Sequence, residues 1–107
     1  MQYLTNQYVT VIWEAQAKAG KAAEMKSLIT GVITGARNEV GCLDYEAHEV
    51  EGQPGTFIIW ERWENKAALD RHYSSAQMIE KIPQMMELIE GSIEAGIRFL
   101  NPFRPAQ

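Results

Sequence analysis

The segment FIIWERWENKAALDRHY, residues 57–73, concentrates side chains that could take part in chemistry. Trp63 closes a predicted strand, and His72 follows after one short amphipathic helix. Tryptophan rings stack on flat ligands, and the imidazole of histidine titrates near neutral pH. The segment therefore suggests an aromatic pocket at a strand-to-helix corner. The competing interpretation is that the same rings are ordinary core, because aromatic clusters beneath helices usually are.

The elements that must position this corner follow from the spacing of apolar residues, which alternate in strands and recur every three or four positions in helices. The last predicted helix is expected to bury Met78, Ile79, Ile82, Met85, Met86 and Ile89. The first half of the chain is predicted to form a strand over Tyr8–Ala17, a helix from Lys21 that stops at Gly41, and strands over Cys42–Val50 and Thr56–Trp63. Two helices are predicted to follow, one capped by Asn65 and one capped by Ser75 and kinked or restarted at Pro83. The chain is then predicted to end with a strand over Ile93–Leu100 and an extended tail.

Turn-forming residues between Val50 and Thr56 predict a hairpin. If these two residues face each other, one face pairs Tyr45 with Glu61, Ala47 with Ile59 and Leu43 with Trp63, and the other pairs Asp44 with Arg62, Glu46 with Trp60 and His48 with Ile58. The order strand, helix, strand, strand, helix, strand predicts an α+β fold of the ferredoxin-like, split βαβ type. A four-stranded antiparallel sheet would then carry helices on one face.

The sheet face without helices is expected to mix apolar residues with charged ones, which suits a paired interface better than a dry core. Its predicted members are Ile12, Val50, Ile58 and Trp60 beside Asp44, Glu46, His48 and Arg62. Because no helix remains to cover this face, we expect a homodimer that packs sheet on sheet.

On the helix face, Trp13 and Tyr45 are expected to line the same space as Trp63, with His72 across the corner. Ile59 lies on the same face of its strand, and Leu69 lies on the helix that follows, so both are included among the substrate-binding candidates. These side chains define the predicted pocket between sheet and helices.

The composition excludes several classes of function. The chain has 107 residues, enough for one domain over residues 1–107, and 46% of them are hydrophobic. A net charge of -4 without a stripe of Lys or Arg argues against a nucleic-acid partner. No apolar run is long enough for a membrane span or signal peptide, and the single cysteine suits a reducing compartment, so we expect a cytoplasmic protein. His48 and His72 stand apart from other metal-ligand residues, so no metal site is expected.

Three stretches together cover most of the chain and carry a resemblance to a known family. They are TVIWEAQAKAGK at residues 10–21, RNEVGCLDYEAHEVEGQPGTFIIWERWENKAALDRHY at 37–73 and IRFLNPF at 97–103. The chain resembles the antibiotic biosynthesis monooxygenase family, and within it the bacterial quinol-oxidising members. The resemblance implies a small ferredoxin-like dimer with a pocket between sheet and helices.

The resemblance also implies roles for individual residues. Trp63 matches a tryptophan that lines the pocket of the aromatic-polyketide oxygenases, and His72 matches a histidine common in the quinol-type members. The sequence departs from relatives at three places. Ala76-Gln77 stands where many quinol-type members have a segment with a second histidine, and Ile59 stands where the polyketide enzymes have an asparagine. Ile82 falls near the position of the iron-ligating histidine of heme-degrading relatives. Heme degradation is therefore not expected.

Oxygenases of this family are expected to work without flavin, heme or metal, so the substrate itself must supply electrons to oxygen. The resemblance implies a quinol-like aromatic substrate held by Trp13, Tyr45 and Trp63. His72 is the predicted proton acceptor because an unperturbed imidazole titrates near neutral pH. Glu61 is the second candidate if burial raises its pKa.

Two other classes of function stay open at this stage. One is an isomerase of a small sugar-like signalling molecule, as in a histidine-rich branch of the family, although the second histidine is missing here. The other is a non-catalytic small-molecule-binding or interaction protein of the same fold, in which side chains fill the pocket.

Overall fold

A computed structural model describes residues 3–5 and 8–105 of the chain. Its elements in chain order are β1 (Tyr3–Thr5), β2 (Val9–Gln16), α1 (Ala22–Ala36), β3 (Cys42–Glu49), β4 (Thr56–Trp63), α2 (Lys66–Tyr73), α3 (Ala76–Leu88), a 3₁₀ turn (Glu94–Gly96), β5 (Ile97–Leu100) and β6 (Phe103–Pro105). In the described part of the chain, no helix is both long and apolar enough to cross a bilayer.

Strands β2 to β5 form one antiparallel sheet in the order β3–β4–β2–β5. Alternation in β2 turns Val11, Trp13 and Ala15 toward the helices, where all three are buried. Helix α1 covers them with Met25 and Ile29, which are also buried. The predicted α+β ferredoxin-like fold, with helices on one face of a four-stranded sheet, is confirmed.

The hairpin of β3 and β4 has the predicted register over most of its length. Tyr45 pairs with Glu61 and Asp44 pairs with Arg62. At the far end the prediction is wrong, because Cys42 and not Leu43 lies opposite Trp63. A bulge between Cys42 and Asp44 adds one residue to β3. A bulge leaves the extra residue without a cross-strand partner, and Leu43 is 44% exposed.

Both predicted N-caps are present. The side-chain oxygen of Asn65 accepts a hydrogen bond from the Ala68 N–H at 2.9 Å, and the Ser75 hydroxyl accepts one from the Met78 N–H at 3.3 Å. Pro83 lies inside α3 without dividing it into two helices. These caps fix the starts of α2 and α3, the two helices that follow β4 in the chain.

Two helical predictions need correction. Helix α1 ends at Ala36 rather than near Gly41, because the next residues turn and the Glu39 N–H donates to the Ala36 carbonyl at 3.0 Å. In α3, Ile79 and Met86 are exposed, whereas Met78 and Met85 are buried. Residues one position apart on a helix lie about 100° apart around its axis, so only a narrow stripe of α3 reaches the sheet.

The C-terminal part differs most from the prediction. Only Ile97–Leu100 forms the last strand of the sheet, and the preceding Glu94–Gly96 is a 3₁₀ turn. A Cβ atom at Gly96 would collide with the backbone carbonyl of Glu14, so only glycine allows this approach. The tail predicted to be merely extended includes β6, which pairs with β1 in a separate two-stranded sheet.

Candidate active site

The corner between β4 and α2 is closed by stacked aromatic rings. Trp63 and His72 are both 0% exposed, and their rings stack with centroids 4.7 Å apart and planes 29° apart. The Tyr45 ring meets both edge-on, at 6.3 Å from Trp63 and 5.4 Å from His72. Asn65 makes this convergence possible, because it lies two residues after the end of β4 and caps α2, which starts at Lys66.

Glu61 is a buried carboxyl group beside this aromatic cluster, with only 2% of its surface exposed. The Trp63 indole N–H donates a hydrogen bond to Glu61 Oε1 at 2.8 Å. Burial raises the pKa of Glu61 to about 7, against the lowering effect of that hydrogen bond. The negative charge of Glu39 raises this pKa further, and a hydrogen bond from Tyr45 lowers it. Glu61 can therefore exchange a proton near neutral pH.

A cavity of about 40 Å³ lies between the sheet and the helices, and Glu61 is one of the residues that line it. Four of the predicted site residues line this cavity: Trp13, Tyr45, Ile59 and Glu61. The other three predicted residues, Trp63, His72 and Leu69, are buried but are not among its lining residues. The lining also includes residues that were not predicted to be in the site, namely Tyr73, Met78, Ile82, Met85, Ile93 and Ile97.

The cavity lining is largely apolar, and none of its residues is Lys, Arg or His. The Trp13 indole N–H is already used, because it donates to the Ile93 carbonyl at 3.0 Å. Burial raises the pKa values of the Tyr45 and Tyr73 phenols, so both stay protonated at neutral pH. The polar groups that a ligand would meet are therefore one carboxyl group and two phenols.

The cavity is too small for an aromatic ring in this conformation. A volume of 40 Å³ suits one or a few water molecules, whereas benzene occupies engineered cavities of roughly 150 Å³. Met78 and Met85 form part of its wall on α3. Methionine side chains are unbranched and adapt their shape readily. Binding of a ring would therefore require these side chains, or α3 itself, to move outward.

A larger groove of about 430 Å³ lies beside the hairpin loop and includes Glu14, Glu90 and Arg98. It is open to solvent, and Arg98 lies 3.6 Å from Glu14 in an ion pair. None of the groups with a clearly shifted pKa lines it. The smaller cavity, with its buried carboxyl group, is the better candidate for chemistry.

His72 makes a contact that no sequence spacing indicated. Its Nδ1 lies 3.0 and 3.2 Å from the two carboxylate oxygens of Glu39, which is 33 residues away in the chain. Its Nε2 is buried without a hydrogen-bond partner among the described residues. Burial lowers the pKa of His72, although the charge and hydrogen bond of Glu39 oppose this. The imidazole is therefore neutral at pH 7.

Other reactive groups near the corner have limited chemical use. Burial, together with neighbouring carboxylates, raises the pKa of the Cys42 thiol to about 11, so the nucleophilic thiolate is scarce at neutral pH. Within residues 3–5 and 8–105, no group of three or more His, Cys, Asp or Glu side chains could hold a metal ion.

Sequence comparisons link the chain to known proteins. Residues 8–81 match the profile of the family described as Antibiotic biosynthesis monooxygenase. The uncharacterised protein sll1783 of Synechocystis sp. is 31% identical over 81 residues, which are 73% of this chain and 55% of that protein, so the chain spans just over half of its length. Rv0793 of Mycobacterium tuberculosis, named as a candidate monooxygenase, is 28% identical over 76% of this chain and 79% of that protein.

Solved structures give the same picture of the fold. The structure of Rv0793 superposes with a TM-score of 0.84 at 26% identity, over 94% of this chain and 99% of that one. The protein SO0527 from Shewanella oneidensis superposes with a TM-score of 0.86 at 23% identity, over 95% and 98%, a likeness that shows the fold alone. With the profile match over residues 8–81, these similarities show that the chain belongs to the antibiotic biosynthesis monooxygenase family.

Proposed function

We propose that this protein is a cofactor-independent monooxygenase that oxidises a small, electron-rich aromatic compound such as a quinol with molecular oxygen. The ring would bind in the cavity between the sheet and the helices, and Glu61 would accept its proton. One observation carries this proposal: a carboxyl group that is 2% exposed faces a largely apolar cavity and has a pKa raised to about 7. A general base is most effective when its pKa lies near the working pH.

The choice of Glu61 over His72 rests on their surroundings. Glu61 lines the cavity, whereas the His72 ring stacks on Trp63 and, like Trp63, is not part of the lining. The Nδ1 atom of His72 is also engaged with Glu39. A base must come within hydrogen-bond reach of the proton that it removes, which favours Glu61 because it lines the cavity where the ring would bind. The earlier prediction of His72 as the acceptor stays open to the test below.

The lining supports an aromatic ligand rather than a sugar-like one. A sugar-like molecule carries many hydroxyl groups, and each would need a hydrogen-bond partner in a buried site. The cavity offers only Glu61 and the phenols of Tyr45 and Tyr73 to such groups. A quinol needs few polar contacts, and its ring would pack against Trp13, Met78 and other apolar side chains.

The proposed reaction exchanges two hydrogen atoms of the substrate for one oxygen atom. Glu61 removes the proton of a ring hydroxyl, and the resulting anion transfers one electron to O₂. The radical and superoxide combine at a ring carbon to form a peroxide. Loss of the C–H proton at that carbon, with cleavage of the O–O bond, leaves one oxygen on the ring as a carbonyl. The other oxygen leaves as water, formed with that proton and the proton returned from Glu61. The substrate supplies all four electrons.

Oxygen uptake with a panel of quinols tests this proposal. The wild-type protein should consume one O₂ per quinol, and Glu61→Gln should lower the rate by about 10²–10⁴-fold, the usual contribution of a general base. Glu80→Gln, which makes the same change on the exposed surface of α3, should keep the wild-type rate. An unchanged rate in Glu61→Gln would return the role to His72. Tight binding of quinols without oxygen uptake would instead indicate a binding protein.

We also infer that two copies pair through the sheet face that the helices do not cover. Trp60 is 36% exposed there beside the partly buried Ile58, and the two residues border a shallow depression. Arg62 pairs with Asp44 at 3.0 Å and stacks over the Tyr8 ring at 4.7 Å. Apolar surface bordered by already paired charges suits a homodimer interface that retains some water.

A further inference from the structure

The turn between α1 and β3 presents Glu39 to the buried side of α2. The Glu39 N–H donates to the Ala36 carbonyl at 3.0 Å, and its own carbonyl accepts from the Cys42 N–H at 3.2 Å, so the backbone is held on both sides. At Gly41, φ is 89°, and a Cβ atom there would lie 2.6 Å from the Cβ of Ala68 in α2. Glycine therefore lets the turn approach α2 closely enough for Glu39 to reach its partner.

That partner is His72, whose ring is fully enclosed. Both carboxylate oxygens of Glu39 lie within 3.2 Å of Nδ1. An ionised carboxylate only accepts hydrogen bonds, so Nδ1 must carry the proton. The neutral ring then keeps its lone pair on Nε2, the atom without a partner among the described residues. Glu39 thus sets both the orientation and the tautomer of the imidazole.

The imidazole in turn supports the indole that contacts Glu61. The His72 and Trp63 rings stack at 4.7 Å, and the Trp63 N–H donates to Glu61 Oε1 at 2.8 Å. A displaced imidazole would let the indole tilt and lengthen that hydrogen bond. We propose that Glu39 is a positioning residue: it holds His72 in the plane on which Trp63 stacks, and Trp63 thereby fixes the Glu61 carboxyl group that faces the cavity.

The charges around Glu61 also connect it to Glu39. After burial, the coulombic effect of Glu39 is the next contribution that raises the pKa of Glu61. The titratable groups that interact with Glu61 come from the turn, from β3 and from α2: they are Glu39, Cys42, Tyr45 and Tyr73. The two phenols and the thiol are neutral at pH 7, so Glu39 is the negative charge among them. This inference rests on the proposed function, since it gives Glu39 a role through the proposed base.

Two NMR measurements test the inference without any substrate. The ¹⁵N shifts of the histidine rings report the tautomer, and the chain has only two histidines, so His48→Gln identifies the signals of His72. We expect neutral His72 with its proton on Nδ1 at pH 7. A proton on Nε2 alone, or a doubly protonated ring at pH 7, would overturn the proposal, and this measurement needs no change at Glu39.

The second measurement follows the ¹³C-labelled Glu61 carboxyl group through a pH titration, with Glu61→Gln to assign its signal. Glu39→Gln and Glu39→Ala both remove the charge, but only glutamine keeps an acceptor for Nδ1. If Glu39 positions the two rings, the Trp63 indole N–H signal should move further in Glu39→Ala, and the pKa of Glu61 should be higher in Glu39→Ala than in Glu39→Gln, because a weakened Trp63 hydrogen bond lowers it less. Glu80→Gln should change neither signal. Glu61 titrations that superimpose in Glu39→Ala and Glu39→Gln would sink the proposal. Absence of oxygen uptake with every quinol would reject the proposed function. The two NMR measurements would still test the role of Glu39, because neither needs a substrate.

Discussion

The substitution Glu61→Gln should change how the stability of the protein depends on pH. The pKa of Glu61 is raised from its ordinary value of 4.5 to about 7, chiefly by burial. Between these two values the folded state binds a proton that the unfolded chain has released, so stability falls as pH rises through this window. At about 1.4 kcal/mol per pKa unit, the loss between pH 4.5 and pH 8 is about 3 kcal/mol.

Glutamine has nearly the same shape as glutamic acid and can still accept the Trp63 N–H, but it cannot ionise. We therefore expect Glu61→Gln and the wild type to have similar stability near pH 4.5, and the variant to be about 3 kcal/mol more stable at pH 8. Urea unfolding at half-unit steps of pH measures the difference. The same variant should lose activity, because an amide cannot act as a general base, so stability and activity would change in opposite directions.

Comparing the variant with the wild type separates the contribution of Glu61 to the pH dependence of stability from the contribution of His72. The lowered pKa of His72 acts in the opposite direction, because the unfolded chain takes up a proton first as pH falls, and stability then decreases toward acid pH. This contribution is present in both proteins and cancels in their difference. Glu80→Gln is the matched control and should follow the wild-type curve. Parallel curves for Glu61→Gln and the wild type would refute a buried carboxyl group with a raised pKa.

Three further predictions concern packing, assembly and cofactors. Trp63→Ala should destabilise the fold by about 3–5 kcal/mol in urea unfolding, because the ring is 0% exposed; a loss below about 1 kcal/mol would contradict this. Trp60→Glu should dissociate the proposed dimer in light scattering, and a wild-type monomer at micromolar concentration would reject the dimer. The purified protein should show no flavin or heme band and no loss of quinol oxidation with a chelator; a stoichiometric band would refute cofactor independence.

Local signals in the sequence were sufficient for most of the fold. Strand β4 has the predicted bounds, and Asn65 and Ser75 cap the predicted helices, because side-chain caps and strand alternation depend on neighbouring residues. The turn between Val50 and Thr56 fixed the hairpin register up to Asp44. Beyond that point, the bulge shifted Leu43 out of its expected pair, and no residue in the sequence marks a bulge there.

Features that depend on distant contacts were not predictable in the same way. The 3₁₀ turn at Glu94–Gly96 forms where Gly96 packs against the backbone of Glu14, about eighty residues earlier. The pairing of β1 with β6 joins the two ends of the described chain. In both cases the partner is far away in sequence, so the local pattern indicated only an extended segment.

The candidate site likewise has a part that could be predicted from local sequence patterns and a part that depends on distant contacts. Alternation along three strands correctly brought Trp13, Tyr45, Ile59 and Glu61 to one face, and all four line the cavity. The contact of Glu39 with His72 depends on a turn that bends back onto α2, which no spacing in the sequence indicates. The pKa of Glu61 depends on how completely the fold buries it, which requires the three-dimensional structure.

The position of β2 in the centre of the sheet has a consequence for protein synthesis. Its neighbours are β4 on one side and β5 on the other. Strand β2 is synthesised early, but its partner β5 leaves the ribosome about eighty residues later. Ile93 and Ile97, which close the cavity, also emerge late. Until then, the nascent chain has an open strand edge and exposed apolar surface, which are the features that promote aggregation and recruit chaperones. Residues 93–100 therefore determine when, as well as how, the cavity is completed.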